Sequence, residues 1–369
     1  MLQKRRLSCL ALSLARKPEP MKLKEKKHKN IPIFIPHLGC PNTCVFCNQR
    51  SISGKQEFAL SSVVDEIESA LDTVPCDCDV EIAYFGGSFT GIDRELMLYL
   101  LELAKKYVER EDDGRARVTG IRMSTRPDYV NQEIIDILSL YPVKTVELGL
   151  QSMDDGVLMR SKRGHSASDA EKACKLIKSA GYSLIGQMMI GLPGSTLEKE
   201  LMTAKKICEM GADGARIYPT VTFYETELAE MADRGEYKML DSEDAIYRSK
   251  EVLKVFNAYG VECIRIGLCA SDNLGDIDKV KGGANHPALG ELVRGELYYD
   301  TMREIFSNLA KNGSVLGKSF NVLVGCGDLS LVIGQKGRNR DRLMCEFGMK
   351  KLRFSEASYS VGVTVFEEE

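Results

Sequence analysis

Three closely spaced cysteines lie in the stretch HLGCPNTCVFCNQRSISG, residues 37–54. Cys40, Cys44 and Cys47 have the spacing C-x3-C-x2-C, and the aromatic residue Phe46 directly precedes the third of them. The segment is polar and rich in turn-forming residues, which is not typical of cysteines that merely fill a core. The spacing therefore predicts that the three thiols hold a metal centre.

The kind of metal centre is open at this point. A structural zinc site usually has four protein ligands, so zinc would need a fourth side chain, for which His37, Cys76 and Cys78 are the candidates. A 4Fe-4S cluster also usually takes four thiolates. A cluster held by three would keep one iron open for a small molecule, as catalytic metal sites do. Three thiols in one loop thus favour a working cluster, with zinc as the rival.

The segments around the cysteines alternate between β-rich runs and amphipathic helical stretches. The predicted strands are residues 31–36, 80–87, 118–124, 145–151, 183–193 and 214–221. A strand followed by a helix, six times over, predicts a parallel sheet covered by helices, curled into a full or partial barrel. Such barrels carry their reactive groups on the loops after the strands, and the cysteines follow the first strand.

The chain is expected to have three parts. Residues 1–30 are basic and are predicted to be a disordered tail, residues 31–267 form the α/β core, and residues 268–369 form a small α+β extension. The first twenty residues imitate a signal peptide, but their apolar run is brief and is followed at once by Arg16 and Lys17.

The composition limits the class of protein. The formal net charge is -3, so no overall basicity indicates a nucleic-acid partner, although a local basic face is compatible with this value. The twelve cysteines do not form the pattern of a small disulfide-bonded domain, which favours a reducing cytoplasm. No apolar run has the length of a membrane span, so no membrane partner is expected.

Four motifs together resemble the radical S-adenosylmethionine (radical SAM) superfamily. They are the cysteine motif, GGSFT at 86–90, STRPDYV at 124–130 and VELGLQSMDDGVLMRSKRGHS at 146–166. Within that superfamily they resemble the core of the elongator catalytic subunit, with kinship to anaerobic coproporphyrinogen oxidase. The resemblance covers residues 31–267 and implies a partial TIM-like (β/α)6 radical SAM barrel.

The resemblance also implies which ligand each of the motif residues binds. Cys40, Cys44 and Cys47 would hold a 4Fe-4S cluster. The residues expected at S-adenosyl-L-methionine (SAM) are Gly86, Gly87, Ser88, Ser124, Gln151 and Arg163. A guanidinium can grip the methionine carboxylate with two parallel hydrogen bonds, which suits Arg163. Ser124 departs from the pattern, because relatives often carry a glutamate there.

The implied reaction is reductive cleavage of SAM to a 5'-deoxyadenosyl radical, with electrons from an external low-potential donor. The substrate suggested by the elongator relatives is a base in RNA, with tRNA first. Residues 268–369 are too few for the acetyltransferase domain of those relatives, so their complete reaction is not expected from this chain. The alternatives are a radical SAM enzyme for a small molecule such as a porphyrinogen, and a zinc-stabilised RNA-binding protein without catalysis.

A second nucleic-acid signal lies in residues 328–356. The sequence IGQKGR resembles the GXXG loop of a KH domain, which clamps a nucleic-acid backbone. The residues expected at that backbone are Gly334, Lys336, Gly337 and Arg338, and Arg340 and Arg342 add positive charge. A glycine turn opening a solvated, arginine-rich helix explains the same sequence equally well.

Overall fold

The computed structural model describes residues 27–36, 38–40, 44–48, 58–111, 114–268, 278–357 and 362–368. Their contacts divide them into a core unit, which ends at Pro287, and a C-terminal unit, which begins at Ala288. The predicted disordered tail lies outside the described residues up to residue 26.

The core unit is built on one parallel sheet. The described strands follow the order β1-β2-β3-β4-β5-β6-β8. They are β1 (Lys27–Ile35), β2 (Cys78–Gly86), β3 (Arg117–Thr125), β4 (Val143–Gln151), β5 (Ser183–Ile190), β6 (Gly214–Pro219) and β8 (Glu262–Ile266). The predicted α/β partial barrel is confirmed; β8 adds a seventh strand to the six (β/α) units, at the stretch VECIRIG, residues 261–267, whose sequence also predicts a strand.

Helices connect these strands. They are α1 (Val63–Thr73), α2 (Arg94–Val108), α3 (Gln132–Leu138), α4 (Asp155–Arg160), α5 (Ala167–Ser179), α6 (Leu197–Glu209), α7 (Glu227–Asp233) and α8 (Ser242–Tyr259). Several begin where the sequence supplies a cap. Ser166 and Asp169, for example, satisfy each other's backbone N–H in a capping box at the start of α5. Gly260 ends α8 in the left-handed conformation that glycine adopts without strain.

The two faces of the sheet differ in chemistry. Successive residues of a strand point to opposite faces. On β4, Val146, Leu148 and Leu150 face the helices and are buried. A Cβ on Gly186 of β5 would lie 2.6 Å from the Ile207 side chain of α6, so strand and helix are in close contact there. The hydrophobic core therefore lies between sheet and helices, and the opposite, concave face carries the polar residues.

The N-terminal boundary of the first strand differs from the prediction. Residues 27–30, assigned to the disordered tail, pair with β2 from Lys27 opposite Cys78 to Asn30 opposite Glu81. The sequence KHKN of these residues contains no apolar residue, so it lacks the alternation that predicts a strand. Edge strands commonly carry lysines in this way.

The end of the core also differs from the predicted boundary at residue 268. The short strand β9 (Val280–Gly283) pairs antiparallel with β7 (Val221–Phe223), which directly follows β6. Residues 280–283 therefore belong to the core unit by backbone hydrogen bonds. The boundary predicted from the sequence came too early because the glycine-rich segment after residue 268 resembles a linker.

The C-terminal unit has the predicted α+β composition. Its elements are α9 (Leu289–Asn312), β10 (Ser319–Val324), α10 (Leu329–Ile333), α11 (Arg338–Phe347), β11 (Lys351–Glu356) and β12 (Thr364–Glu368). The strand β10 is central, parallel to β11 and antiparallel to β12. Phe306, Phe320 and Leu343 are among the buried residues of a separate hydrophobic core. The unit thus contains a strand, helix, turn, helix and strand in succession, with the GXXG sequence at the turn.

No helix in the described ranges has both the length and the apolar run that crossing a lipid bilayer requires.

Candidate functional site

The cysteine-bearing loop follows β1 at the edge of the sheet where the parallel strands end. Val45, next to Cys44, is tied to two other segments. Its N–H donates to Ser161 O at 3.2 Å, and its carbonyl accepts from Leu228 N at 2.8 Å. The Val45 side chain is buried against Leu228 and Tyr237. The protein therefore fixes the position of Cys44 by its own backbone.

The glycine loop after β2 packs directly on the cysteine loop. Gly87 N donates to Ile35 O at 2.8 Å, and Ser88 N donates to Leu38 O at 3.1 Å. A Cβ on Gly87 would lie 1.9 Å from Leu38 O, and one on Gly86 would lie 2.8 Å from Ile35 O. The steric need for glycine that the structure shows comes from this contact between the two loops. SAM binding by these glycines stays a prediction.

The side chain of Ser88 is occupied by the protein itself. Its hydroxyl lies 2.9 Å from Thr125 Oγ1 and accepts the Arg126 N–H at 3.1 Å. Thr90 Oγ1 lies 2.6 Å from Thr125 Oγ1 and donates to Tyr129 O. These buried hydroxyls join the end of β2 to the end of β3. The Ser88 side chain therefore fixes the loop and leaves only backbone groups for a ligand.

Arg163 connects the end of β4 to the cysteines. Its Nη2 donates to Gly149 O at 2.8 Å, and its Nη1 donates to Cys44 Sγ at 3.5 Å. A Cβ on residue 149 would lie 2.6 Å from Nη2, so the guanidinium passes over this position because it is glycine. Its Nε is buried and has no partner in the described parts of the chain. Arg163 thus lies beside Cys44 with donor capacity left over, and its contact with SAM stays a prediction.

Two further buried polar groups, one at the end of β4 and one directly after β3, lack partners among the described residues. Gln151, the last residue of β4, has φ 63, a conformation that residues other than glycine seldom adopt. Its Oε1 and the Nη1 of Arg126 are both buried without a hydrogen bond among the described residues. Arg126 also makes a two-pronged ion pair with Asp128, at 3.0 and 2.7 Å. Orphaned buried donors and acceptors are rare and are typical of a site that a polar ligand completes.

The charges around Cys40 favour a bound metal cluster. Burial raises the pKa of the Cys40 thiol, and the positive charges of Arg163 and Arg126 oppose that rise. Both arginines therefore stabilise the thiolate, which is the form that binds iron. Thiolates flanked by guanidinium groups and unsatisfied polar atoms fit a 4Fe-4S cluster with a zwitterionic ligand on its open iron. The assignment of each residue to cluster or SAM stays a prediction.

The sequence analysis missed Arg126 and His165. Arg126 lies directly after β3, and this position at the carboxyl end of a strand was the available signal. His165 is buried, its Nε2 lies 3.3 Å from Leu150 O, and its Nδ1 has no partner in the described ranges. Burial, with help from Arg163, lowers the pKa of His165 to about 4. The imidazole is therefore neutral at neutral pH.

The rival zinc site loses two of its three proposed ligands. Cys78 opens β2 and pairs with Lys27, whereas Gly86 ends β2 and pairs with Ile35, close to the cysteine loop. The eight residue steps from Cys78 to Gly86 separate these strand ends by about 26 Å. Cys76 and Cys78 therefore lie at the opposite edge of the sheet. The third candidate, His37, lies outside the described residues. Within those residues no three His, Cys, Asp or Glu side chains, Cys40, Cys44 and Cys47 included, are grouped as a ready metal site, so this finding bears on zinc and iron alike.

Ser124 lies on the concave face of β3, opposite Glu147 of β4. Its hydroxyl has no hydrogen-bond partner in the described ranges, so it is free to meet a ligand. Whether it takes the place of the glutamate found in relatives stays a prediction.

The GXXG sequence of the C-terminal unit forms a strained turn between α10 and α11. Gly334, Lys336 and Gly337 have φ of 77, 52 and 81. A Cβ on Gly334 would lie 2.9 Å from the side chain of Asn339, which is itself buried and donates to Gly295 O at 2.8 Å. The turn is therefore held from inside by Asn339, while the exposed Lys336 side chain has no partner among the described residues.

The four predicted cations of this turn are not equally available. Arg342 donates to Glu296 at 2.6 Å, and its guanidinium lies 3.6 Å from the Tyr299 ring centroid. Arg338 lies 3.9 Å from the same carboxylate, and Arg340 pairs with the adjacent Asp341. Arg342 therefore stabilises the unit and is not free for phosphate, in contrast to the sequence-based expectation.

Comparison with known proteins identifies the family to which this fold belongs. Residues 34–207 match the model of the radical SAM superfamily, and residues 212–299 match that of the radical SAM C-terminal domain. An uncharacterized protein of Methanocaldococcus jannaschii is 30% identical over 64% of this chain and 74% of its own length. The tRNA uridine(34) acetyltransferase of Methanocaldococcus infernus is 27% identical over 69% of this chain, which spans only 53% of that relative.

A solved structure shows the same fold. The archaeal M. infernus Elp3 with an N-terminal deletion superposes with a TM-score of 0.57 at 25% identity, over 76% of this chain and 63% of that one. The core of the elongator catalytic subunit, inferred above from four motifs, is therefore confirmed as the relevant resemblance. The chain belongs to the radical SAM superfamily.

Proposed function

We propose that this radical SAM enzyme modifies a base in RNA, with tRNA as the first candidate. The observation that carries the proposal is the strained GXXG turn between two helices of the C-terminal unit, because such loops clamp nucleic-acid backbones. The exposed Lys336 at that turn supplies an unpaired charge for phosphate. The similarity to a tRNA uridine(34) acetyltransferase over 69% of this chain supports the same substrate class.

The cofactors of the enzyme are a 4Fe-4S cluster and SAM. When bound and reduced, they supply a 5'-deoxyadenosyl radical that abstracts hydrogen from the substrate. In the proposal Cys40, Cys44 and Cys47 hold the cluster. Arg163 and Gln151 present their unpaired polar atoms to the amino-acid end of SAM. Burial of Cys44, at 5% exposure, excludes water from that side of the cluster.

One component of the proposal comes from outside the chain's own residues. The reaction needs a low-potential electron donor, which we assign to an external reductase or ferredoxin-like protein. The acetyl transfer named for the relatives is not part of the proposal, since the chain spans only about half of the relative named above.

Anaerobic purification tests the enzyme class directly. We expect about four irons and four sulfides per chain, and release of 5'-deoxyadenosine from SAM when dithionite is added. Cys44→Ala should abolish both, whereas Cys345→Ala, which removes an exposed thiol of the C-terminal unit, should change neither. Zinc in place of iron, or no 5'-deoxyadenosine from iron-loaded protein, would overturn the assignment.

The substrate is tested separately. Reconstituted enzyme, SAM and reductant are incubated with unmodified tRNA transcripts, which are then digested to nucleosides and weighed by mass spectrometry. A mass change on one base that depends on SAM and on Cys44 is the expected result. Release of 5'-deoxyadenosine that is stimulated by a porphyrinogen and not by any RNA would contradict the RNA proposal while leaving the enzyme class intact.

A further inference from the structure

The concave face of the sheet carries a ladder of charged and amide side chains from five neighbouring strands. They are Glu81 of β2, Arg122 of β3, Glu147 of β4, Gln187 of β5 and Arg216 of β6. A sixth, Arg265 of β8, is the register partner of Arg216 and therefore points to the same face.

Glu147 is saturated by its neighbours. Its Oε1 accepts from Arg122 at 2.8 Å and from Arg216 at 2.9 Å. Its Oε2 accepts from Gln187 at 2.7 Å and lies 2.8 Å from Arg216 Nε, a contact that is electrostatic because Nε makes no hydrogen bond. One carboxylate is thus surrounded by donors from three strands and has no capacity left.

Glu81 is committed in the same way. It accepts from Arg122 Nε at 2.7 Å and from Thr145 at 3.2 Å, and His28 lies 3.5 Å away. The two carboxylates therefore neutralise Arg122 and Arg216. The Arg265 guanidinium is left as a partly buried cation with no hydrogen-bond or ion-pair partner in the parts of the chain that the structure describes. A half-buried guanidinium without a counter-charge is poised to take an anion.

Two aromatic rings share this face. Phe34 and Phe85 are register partners on β1 and β2, their centroids lie 6.4 Å apart, and both are partly exposed. The guanidinium of Arg216 lies 5.9 Å from the Phe85 centroid, although three strands separate β2 from β6 in the sheet. The sheet is therefore curled so strongly that the two sides of the concave face meet. Arg265 lies one strand beyond Arg216, on the wall opposite the aromatic pair.

We infer that the concave face binds one nucleotide of the substrate, with its base on Phe34 and Phe85 and its phosphate on Arg265. Base stacking on aromatic rings and guanidinium planes is the common mode of recognition for unstacked RNA bases. One anion complements the one guanidinium of this face that has no partner among the described residues. This inference rests on the proposed RNA substrate and names the residues that recognise it.

A guanidinium can bind the carboxylate of a small acid as well as a phosphate, so the experiment compares these two kinds of anion. The probes are the four nucleoside 5'-monophosphates, the four parent nucleosides and coproporphyrin III, a tetracarboxylic acid. Binding to anaerobically reconstituted full-length protein is measured by saturation-transfer NMR and calorimetry at one fixed ionic strength, without reductant. The variants are Arg265→Gln, Phe85→Leu and, as a charge-matched control, Lys175→Gln on the exposed face of α5.

We expect at least one monophosphate to bind about tenfold more tightly than its nucleoside, which is the worth of one charge-assisted hydrogen bond. Arg265→Gln should remove that difference and leave nucleoside binding unchanged. Phe85→Leu should weaken nucleoside and nucleotide alike, and Lys175→Gln should change nothing. Unchanged unfolding midpoints establish that each variant is folded.

Three results would overturn the inference. They are monophosphates that bind no better than nucleosides, a phosphate preference that survives Arg265→Gln, and Arg265-dependent binding of coproporphyrin III without any nucleotide binding. Because these measurements need no SAM cleavage, they fail independently of the proposed function. An enzyme that modifies tRNA while Arg265→Gln and Phe85→Leu bind nucleotides normally would retain the function and lose this site.

Discussion

The guanidinium of Arg163 bridges Cys44 Sγ, at 3.5 Å, and Gly149 O, at 2.8 Å. It therefore links the cysteine loop after β1 to the end of β4 through contacts within the protein. Its remaining donor, Nε, is buried and unpaired. This is the residue from which the SAM site is best tested.

Arg163→Lys should weaken SAM binding by about tenfold, because an ammonium keeps the charge but cannot reach three partners in a fixed plane. Iron content should stay at the wild-type value, since Arg163 is not a cluster ligand in the proposal. Equilibrium dialysis with labelled SAM measures the affinity. Arg160→Lys, on the exposed end of α4, is the control. Equal SAM affinity in both variants would remove Arg163 from the site.

Gly87→Ala should destabilise the protein by about 1–3 kcal/mol, because the added Cβ would meet Leu38 O and force the two loops apart. Thermal unfolding measures the change. In Gly313→Ala the new Cβ would have no neighbour closer than 4.0 Å and the backbone is extended, so that variant should be nearly neutral. If the two variants unfolded at the same temperature, the packing of the glycine loop on the cysteine loop would be wrong.

Glu147→Gln should cost about 3–5 kcal/mol of unfolding free energy, since it leaves Arg122 and Arg216 buried with only one carboxylate between them. Urea denaturation measures this value. The control is Glu171→Gln, which breaks an exposed ion pair with Lys206 and should cost less than about 1 kcal/mol. A small effect at Glu147 would mean that water reaches the ladder and screens it.

Stability should fall as the pH is lowered from about 6.5 towards 4, partly because of His165. Burial and Arg163 hold its folded pKa at about 4, below the unfolded value of 6.5, so the unfolded chain binds a proton first. The loss amounts to about 3 kcal/mol at most. His165→Gln should flatten this part of the stability profile. An unchanged slope in His165→Gln would show that other groups carry the acid sensitivity.

Lys336→Ala should weaken binding of unmodified tRNA and reduce the slope of log affinity against log salt by about one, because one phosphate contact is lost. Filter binding at several salt concentrations measures both values. Lys311→Ala, at an exposed lysine in the last turn of α9, is the control. Identical slopes for the two variants would favour the solvated helix over the KH-like clamp.

The periodic parts of the fold were predictable. The strand predicted at 145–151 is β4, Val143–Gln151, because its apolar run is long and its neighbours are amphipathic helices. The start of β1 was not, since KHKN carries no apolar alternation and is held by pairing with β2 alone. The local sequence indicates only the local preference of the chain for helix or strand. Whether an edge segment pairs as a strand depends on the neighbouring strand.

The candidate site likewise has a part that the sequence indicated and a part that it did not. The sequence motifs assigned Cys44 to the cluster and Arg163 to SAM, which stays a prediction, and the structure brings these two side chains together although 119 positions separate them in the chain. The ladder through Glu147 and Arg216 escaped notice because each member is one isolated polar residue in an otherwise apolar strand. Only the curl of the sheet, which puts Arg216 against Phe85, shows that these single residues form one surface.

The two backbone hydrogen bonds of Val45 have a consequence for handling the protein in air. They hold Cys44 through the contacts of Val45 with Ser161 and Leu228. We therefore expect protein that has lost its cluster in air to regain iron, sulfide and SAM cleavage on anaerobic reconstitution. Failure to regain them would mean that these two hydrogen bonds do not suffice to keep the cysteine loop in place.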